Sequence, residues 1–381
     1  MTLSFKNALA VSSLAVFLAL PQITVAQDVS VEFGGRLNVD YTVAELNTPD
    51  RNIDETNLRR IRIDATGKFG DLVSFKIELE DSSGGDVEAT DAYIRFSPKD
   101  SNFKVTVGQF REFMSLDEQT SSRFSSVIER AAFTDAFGFA RRLGVAVGTS
   151  GSNYTLDLGV YTENLEGADF DEDGKVVSAR ATYAPIKTDE TIVHLGTSWR
   201  YRNGSDATDS TVNDGIRYRQ RPFTNSAPSR IIDTGRFAKS DNFFGVETAV
   251  IHNRMWAAGE YGTLAANGAG NNPDANFNGF YGEIGTFFGG RKVYKGGKFN
   301  RPQVDSALGE GCIGAFSLVA RYDSIDLQDE IYTGQLDTIV LGADWWPNKY
   351  TRFGVNYFDA DAENGNAESA NGFVARLGFD F

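Results

Sequence analysis

The sequence predicts an all-β fold, a transmembrane antiparallel β-barrel of about 16 strands. Three observations predict it. Segment after segment alternates apolar and polar residues with a period of two. Tight connections alternate with long polar ones, and aromatic residues collect near the ends of the predicted strands. The chain also ends on Phe381, in a final amphipathic strand, which is typical of bacterial outer-membrane barrels.

The N-terminal residues 1–26 have the layout of a secretory signal peptide. Lys6 precedes the apolar run ALAVSSLAVFLAL, and the small residues Thr24 and Ala26 stand where cleavage would follow Ala26. The apolar run is too short to span a bilayer comfortably, which disfavours the alternative of an uncleaved anchor. We therefore expect a signal peptide over 1–26 and a β-barrel domain over 27–381, exported from the cytoplasm.

The first two predicted strands show the pattern on which the fold rests. In VSVEFGGRLNVDYT (29–42), apolar residues occupy one face and charged or polar residues the other. In NLRRIRIDATGKFG (57–70), Ile61 and Ile63 share a face opposite Arg60 and Arg62. The same alternation recurs in VSFKIELE, KVTVGQF, RLGVAVG, YTLDLGVY, KVVSARATY, TIVHLGTSWRY, FFGVETAV, FYGEIGTFF, AFSLVARYD, TIVLGADWW, TRFGVNYF and NGFVARLGFDF.

A soluble β-sandwich also alternates, but the connections favour a membrane barrel. Some connections between the predicted strands are tight, namely GDL, GSN, TDE and NK, whereas others are long and polar, namely LNTPDRNIDETN and the segment 204–241. This alternation is expected for short periplasmic turns and long outer loops. Closure would leave no strand edge exposed to lipid. A barrel of this size encloses a water-filled lumen, so the charged faces would line a pore.

Charge and cysteine content exclude other classes of protein. The net charge of −15 argues against nucleic-acid binding, for which a basic face supplies the affinity. A single cysteine, Cys312, excludes an intramolecular disulfide framework, and we expect it to be buried or to face lipid.

Two groups of arginines predict the properties of the pore. Arg59, Arg60 and Arg62 form the densest group on any strand, although strict alternation points Arg59 outward unless a bulge or the barrel rim turns it inward. The second group lies in the segment 111–142, a connection long enough to be functional, which would present Arg123 and Arg130 if it folded into the barrel. Arginines at a constriction select anions and phosphate, because the guanidinium fork matches phosphate geometry and stays charged.

Several segments resemble the phosphate-selective porins O and P. These segments are NLRRIRI, DAYIRFSP, VTVGQFREFMSLDEQTSSRFSSVIER, RRLGVAV, GAFSLVARYD and FVARLGFDF, and they run in the same order through most of the mature chain. The part around VGQF, TSSRF and ER is the most specific. The resemblance implies a trimeric outer-membrane barrel of sixteen strands with an inward-folded third loop and an arginine ladder leading to a central anion site.

The resemblance also implies roles for individual positions. Arg59 and Arg60 match the paired strand arginines of the family, Asp91 its constriction aspartate, and Ser121 and Ser122 its loop serines. Two positions depart from the family pattern. Arg123 stands where a constriction lysine is expected, which preserves the charge. Glu118 stands where another lysine lies in the strongly phosphate-specific members, and a carboxylate there would repel phosphate.

Together these observations predict a non-enzymatic outer-membrane diffusion channel, biased toward anions and passing phosphate or similar small anions. Along the wall, Arg36, Arg60 and Arg62 would attract anions. At the constriction, Arg59, Arg123 and Arg130 would contact them. Two carboxylates, Asp91 and Glu118, would tune how tightly the anions are held. A general or cation-biased porin is the alternative. A barrel enzyme or an adhesin is a remote one, because the sequence carries no catalytic constellation.

The segment DFDEDGK (169–175) opens like a calcium loop, with Asp169, Asp171 and Asp173 at alternate positions. Its twelfth position is Arg180 rather than glutamate, so a solvated acidic loop is favoured over a Ca²⁺ site. The loop could also bridge lipopolysaccharide through divalent ions. We expect no other cofactor. The expected partners are small inorganic anions, outer-membrane lipid and lipopolysaccharide, and two further copies in a homotrimer.

Overall fold

The computed structural model describes residues 29–47, 51–81, 87–165, 174–204, 215–363 and 369–381. The predicted signal peptide and the acidic segment with Asp169, Asp171 and Asp173 lie outside these residues. Within the described ranges, no helix combines the length and the apolar character that crossing a bilayer requires.

Almost all of the regular structure is β-strand, and two short helices lie between the fifth and sixth strands. The elements in chain order are β1 (Val29–Leu46), β2 (Ile53–Phe69), β3 (Val73–Asp81), β4 (Val87–Phe96), β5 (Phe103–Arg111), α1 (Leu116–Gln119), α2 (Ala132–Ala136), β6 (Arg141–Ser150), β7 (Tyr154–Tyr161), β8 (Val176–Lys187), β9 (Thr191–Asn203), β10 (Ile216–Gln220), β11 (Ile232–His252), β12 (Met255–Gly268), β13 (Ala275–Phe288), β14 (Gly290–Tyr294), β15 (Phe299–Val304), β16 (Ala315–Asp326), β17 (Gln335–Asn348), β18 (Thr351–Glu363) and β19 (Ser369–Asp380).

The sheet closes on itself, because β1 pairs antiparallel with both β2 and β19. β9 pairs directly with β11, and β13 with β16, so β10 and the β14–β15 hairpin stand outside the wall. The remaining sixteen strands form a closed antiparallel barrel, which confirms the predicted fold class. Because the barrel is closed, the backbone N–H and C=O groups of each wall strand can pair with those of a neighbouring strand. Hydrocarbon offers these groups no other partner.

Side chains alternate between the two faces of the wall, as the sequence predicted. On β2, Ile63 is exposed on the outer face while Arg62 is buried on the inner face. On β17, Leu341 is exposed and Val340 is buried. The outer face thus carries the apolar band that lipid requires, and the lumen receives the charged residues.

The connection between β5 and β6, residues 112–140, folds into the lumen and is here called the third loop. Its α2 helix places the Phe133 ring against Phe243 and Tyr281, with ring centroids 6.3 and 6.5 Å apart. Phe137 packs 5.8 Å from Phe243 in the same cluster. An apolar core therefore lies inside the barrel, between the third loop and the wall from β11 to β16. The inward-folded third loop is confirmed.

The long connection predicted over 204–241 is shorter, because β11 begins at Ile232, and it contains a strand that was not predicted. The fifth loop, residues 204–231, carries the short strand β10. At the opposite end, where the turns are otherwise short, the connection between β13 and β16 contains the β14–β15 hairpin. Its strands are too short for alternation to identify them in the sequence. Cys312, in the same connection, is exposed rather than buried.

Candidate functional site: the arginine cluster at the third loop

A β-bulge turns Arg59 into the lumen. Along the β1–β2 pair, Asn38 lies opposite Arg60 and Val39 lies opposite Leu58, so Arg59 is the extra residue. Leu58 remains exposed on the outer face, whereas the Arg59 side chain is only 16% exposed. The Arg59 Nε atom lies 3.8 Å from Oε1 of Glu129 in the third loop. The structure therefore resolves the direction of Arg59, which alternation alone pointed outward.

Glu129 stays ionised beside this cluster. Burial by itself would raise the pKa of the Glu129 carboxyl, but the nearby arginines, Arg59 and Arg376 foremost, lower it. Arg376 donates to both Asp40 and Glu129 from the wall strand β19. The third loop thus presents a charged carboxylate to the wall arginines.

Ser122 connects the third loop to two wall arginines. Its hydroxyl oxygen accepts a hydrogen bond from Arg36 Nη1 at 2.8 Å and another from Arg60 Nη1 at 3.2 Å. Ser121 instead accepts from the backbone N–H of Arg123 at 3.4 Å and so shapes the loop tip. Two guanidinium groups from different strands therefore converge on one oxygen atom.

Arg62 and Asp91 belong to a charged network within the wall. Arg62 donates to Glu80 Oε2 and to Glu78 Oε1, both at 2.7 Å. Asp91 accepts from Lys76 Nζ and from Arg141 Nε, also both at 2.7 Å. The fork of Arg62 is thus engaged by carboxylates of β3, and Asp91 is balanced by two cations.

Glu118, the position that departs from the family pattern, is flanked by cations on both sides. Its carboxylate lies 3.1 Å from Arg130 Nε and 3.2 Å from Arg111 Nη1. Arg130 also donates from Nη2 to the carbonyl of Thr120 at 3.0 Å. These contacts offset the repulsion that a lone carboxylate would exert on a passing anion.

Arg123 lies at the lower side of the loop tip, toward the short-turn end. Its Nη2 donates to Asp64 Oδ1 at 3.2 Å, and its Nη1 lies 3.9 Å from Asp380 Oδ2. Among the described contacts, the Arg123 side chain forms no hydrogen bond or ion pair with Ser122, Arg36 or Arg60. The structure thus brings Arg36, Arg59, Arg60 and Ser122 together and places Arg123 one step further along the lumen.

Wall carboxylates on the far side of the barrel hold the third loop in place. Glu260 accepts from the backbone N–H groups of Leu116 at 2.9 Å and Asp117 at 2.7 Å, at the start of α1. Asp323 accepts from the N–H of Ala132 at 2.9 Å, at the start of α2. Carboxylates are favourable at helix N-termini, where N–H groups are unpaired. These acids therefore position the loop.

The β14–β15 hairpin reaches the same loop from the short-turn end. Lys292 donates to Ser126 and lies 4.3 Å from the ring of Trp256. Arg301 pairs with Asp380 and lies 4.9 Å from the ring of Phe124. At the hairpin tip, the carbonyl of Gly297 accepts from Arg180 Nη2 at 2.7 Å. The lumen is therefore approached from both ends.

Sequence reasoning missed the residues that the fifth loop and the hairpin contribute. From the fifth loop, Gln220, Arg221 and Arg230 line a cavity beside Arg59 and Arg60. The alternating arginines of IRYRQR (216–221) were a usable signal, because arginine at every second position is unusual on a chain of negative net charge. From the hairpin, the lumenal cations are Lys292, Lys298 and Arg301.

The arrangement brings guanidinium groups of the wall and of the third loop close together, beside carboxylates that pair with several of them. Within the described ranges, no group of three or more His, Cys, Asp or Glu side chains is placed to hold a metal ion. The acidic segment predicted as a weak calcium loop lies outside those ranges.

Comparison with known proteins gives a consistent answer. Residues 31–381 match the family model for phosphate-selective porin O and P. An uncharacterized protein of Caulobacter vibrioides is 34% identical, over 88% of this chain and 69% of that protein. Porin O of Pseudomonas aeruginosa is 24% identical, over 94% of this chain and 90% of that protein.

Solved porins share the fold. The trimer form of OmpT from Vibrio cholerae has a TM-score of 0.61 at 12% identity, covering 93% of this chain and 100% of that one. An anion-selective porin from Comamonas acidovorans has a TM-score of 0.59 at 12% identity, with the same coverage. Family and fold point to a channel rather than an enzyme. This protein is a β-barrel of the bacterial outer membrane, and its chain belongs to the phosphate-selective porin O and P family.

Proposed function

We propose that the protein is an anion-biased diffusion channel for phosphate or similar small anions. The observation that carries this proposal is the convergence of Arg36 and Arg60 on the oxygen of Ser122, with Arg59 turned inward beside them. The oxygen of a bound anion would accept hydrogen bonds in the same geometry, from two charged N–H donors that approach from different directions. Arginines at a constriction favour anions over cations.

The carboxylates at the constriction shape how the channel would conduct. Glu118, Glu129 and Asp91 each lie within ion-pair distance of at least one arginine. An anion would compete with these carboxylates for the same guanidinium groups. Its binding would then be weak enough to permit exit, which conduction requires. The same carboxylates favour the alternative, a general or cation-biased porin, if they outweigh the arginines.

The zero-current potential of the purified protein in a planar bilayer, under a potassium chloride gradient, tests the proposal. We expect an anion-selective potential, followed by block of the chloride current when phosphate is added. A near-zero or cation-selective potential would overturn the proposal in favour of the alternative.

A variant pair locates the site within the channel. Arg60→Gln removes a charged donor at Ser122 and is expected to weaken phosphate block roughly tenfold to a hundredfold, as for loss of a hydrogen bond to a charged group. Arg254→Gln removes an exposed arginine of the short-turn end, paired with Asp305, and is the matched control. Equal loss of block in both variants would show that overall charge, and not this site, decides the block.

The wider partners are also proposals. A homotrimer is supported by the family resemblance and by the trimer form of OmpT, and the mass of the detergent-solubilised complex tests it. Contact with outer-membrane lipid follows from the apolar outer face. Lipopolysaccharide binding and a weak Ca²⁺ site at Asp169, Asp171 and Asp173 stay predictions.

A further inference from the structure

A cavity of about 290 Å³ lies beside the arginine cluster, between β2, the third loop and the fifth loop. This volume is near the lower end of the roughly 300–1,000 Å³ of small-molecule pockets. A phosphate ion alone would leave much of it unfilled. The residues that line the cavity indicate which chemical groups a larger, better-fitting solute would have.

The charge of the cavity is positive. Five arginines and three carboxylates line it. Each carboxylate already pairs with at least one arginine of the lining: Glu118 with Arg130, Glu129 with Arg59, and Asp135 with Arg230. A solute therefore needs no positively charged group, such as an ammonium, to neutralise these carboxylates. Of the two remaining arginines, Arg60 pairs with Glu80 of the wall, which does not line the cavity. The lining therefore still carries two more guanidinium groups than carboxylates, which suits a phosphate dianion.

One of the surplus arginines comes from the fifth loop. Arg221 donates from Nε to the carbonyl of Ala227 at 3.2 Å, within its own loop. Among the residues that the structure describes, no carboxylate forms an ion pair with it. Its charge is therefore directed to the cavity without a fixed counter-ion.

A buried acceptor in the same cavity lacks a donor. Gln220 is 7% exposed, and its Oε1 atom has no hydrogen-bond partner in the described part of the chain. A buried carbonyl oxygen without a donor is unfavourable, so a ligand that supplies an O–H group there would be stabilised. Inorganic hydrogen phosphate has an O–H group, whereas the phosphate group of a monoester dianion has none. In a monoester, the donor therefore has to come from the organic part of the solute.

Unused donors and apolar rings complete the lining. The Nε–H groups of Arg59 and Arg230 are buried and form no hydrogen bond with the described residues, and for Arg59 the Glu129 carboxylate lies 3.8 Å away, beyond hydrogen-bond distance. Phe139 and Phe223 contribute ring surface. A fitting solute thus combines anionic oxygens, at least one hydroxyl group and a short carbon chain that packs against the rings.

We propose that this cavity binds phosphate monoesters of polyols, with the phosphate on the arginines and a hydroxyl donated to Gln220 Oε1. The proposal rests on the anion-biased function proposed above and names its substrate class. The cavity adjoins Arg59 and Arg60, so a bound monoester lies next to the constriction that it has to pass. The third and fifth loops together then decide which organic phosphates enter.

Block of the chloride current by two probes of the same charge tests the proposal. Glycerol 3-phosphate carries hydroxyl groups, and methyl phosphate carries none. In the wild-type channel, we expect half-block at a roughly threefold to tenfold lower concentration of glycerol 3-phosphate, the effect of one hydrogen bond. Equal half-block concentrations would overturn the proposal without use of any variant.

Gln220→Leu removes the acceptor and should bring the ratio of the two half-block concentrations close to one. The matched control is Gln303→Leu, at an exposed position of the short-turn hairpin, and it should retain the wild-type ratio. A ratio unchanged in Gln220→Leu would overturn the assigned acceptor. An anion-selective potential with equal block by both probes would contradict this inference and leave the proposed function intact. A cation-selective potential would contradict the proposed function itself.

Discussion

At the residue scale, cations in the lumen differ in whether their charge is fixed. The arginines of the constriction stay charged at any relevant pH. Lys298, at the tip of the β14–β15 hairpin, does not. Burial, and then the nearby charges of Arg111, Arg180 and Lys104, lower the pKa of its ammonium to about 8. Lys298 is therefore charged below about pH 8 and increasingly neutral above it.

This residue predicts a pH-dependent selectivity. Between about pH 7 and about pH 9, loss of the Lys298 charge should weaken the anion selectivity of the wild-type channel, because a lysine with a lowered pKa loses its proton as the pH rises through that value. The zero-current potential measured at both pH values checks it. Lys298→Arg should lose less selectivity over this range than the wild type, and the loss that remains comes from Lys292, whose pKa burial also lowers to about 8. Lys298→Met should already show the weaker selectivity at the lower pH. A wild-type potential that does not change with pH would contradict the prediction.

At the element scale, the third loop keeps its place because polar and apolar contacts act on the same two short helices. Glu260 and Asp323 accept from the first N–H groups of α1 and α2. Phe133 fills the space between α2 and the wall at Phe243 and Tyr281. Neither helix is long enough to be stable alone, so the wall supplies most of their stability. The constriction is therefore only as rigid as these anchors.

Phe133→Ala should loosen the third loop. Removal of a buried phenylalanine side chain costs about 3–5 kcal/mol, which the short helices cannot recover. We expect a higher single-channel conductance with more open-state noise in planar bilayers. Phe280→Ala is the matched control, since Phe280 lies on the outer face and contacts Tyr322 there. Conductance identical to wild type in Phe133→Ala would show that the polar contacts alone hold the loop.

At the scale of the whole molecule, the barrel is closed by a seam between its first and last strands. Asp40 on β1 lies opposite Arg376 on β19, and their side chains form a buried two-point ion pair, with Nε–Oδ1 at 2.7 Å and Nη2–Oδ2 at 2.6 Å. Arg376 Nη1 also donates to the carbonyl of Ile128 at 3.0 Å. One side chain thus joins the seam to the third loop.

Arg376→Met should destabilise the barrel by about 3–5 kcal/mol, because it leaves the buried Asp40 carboxylate unpaired. The urea midpoint of the folded, heat-modifiable band on gels measures this loss of unfolding free energy. Arg217→Met breaks the more exposed pair with Asp233 in the fifth-loop region and should cost only about 0–1 kcal/mol. Equal shifts in the two variants would show that the seam pair is not a special contributor.

The sequence alone determined the barrel and the side of the wall that most residues face. Strand alternation is a local property, so Ile63 and Arg62 reveal their faces without any knowledge of their neighbours. The inward third loop was also predictable, from its length and its arginines and from the family resemblance. The β14–β15 hairpin could not be predicted, because its strands have only five and six residues, too few to show a clear alternation of apolar and polar residues.

The tertiary structure alone decided how the charges at the constriction are paired. Arg59 faces the lumen because of its register against Asn38 on another strand, and Glu118 is offset by Arg111 and Arg130 only once the loop has folded. The cavity at Gln220 joins β2, the third loop and the fifth loop, which are far apart in the chain. Alternation fixes which way a side chain points, whereas its partners depend on barrel closure and loop docking, and these are long-range events.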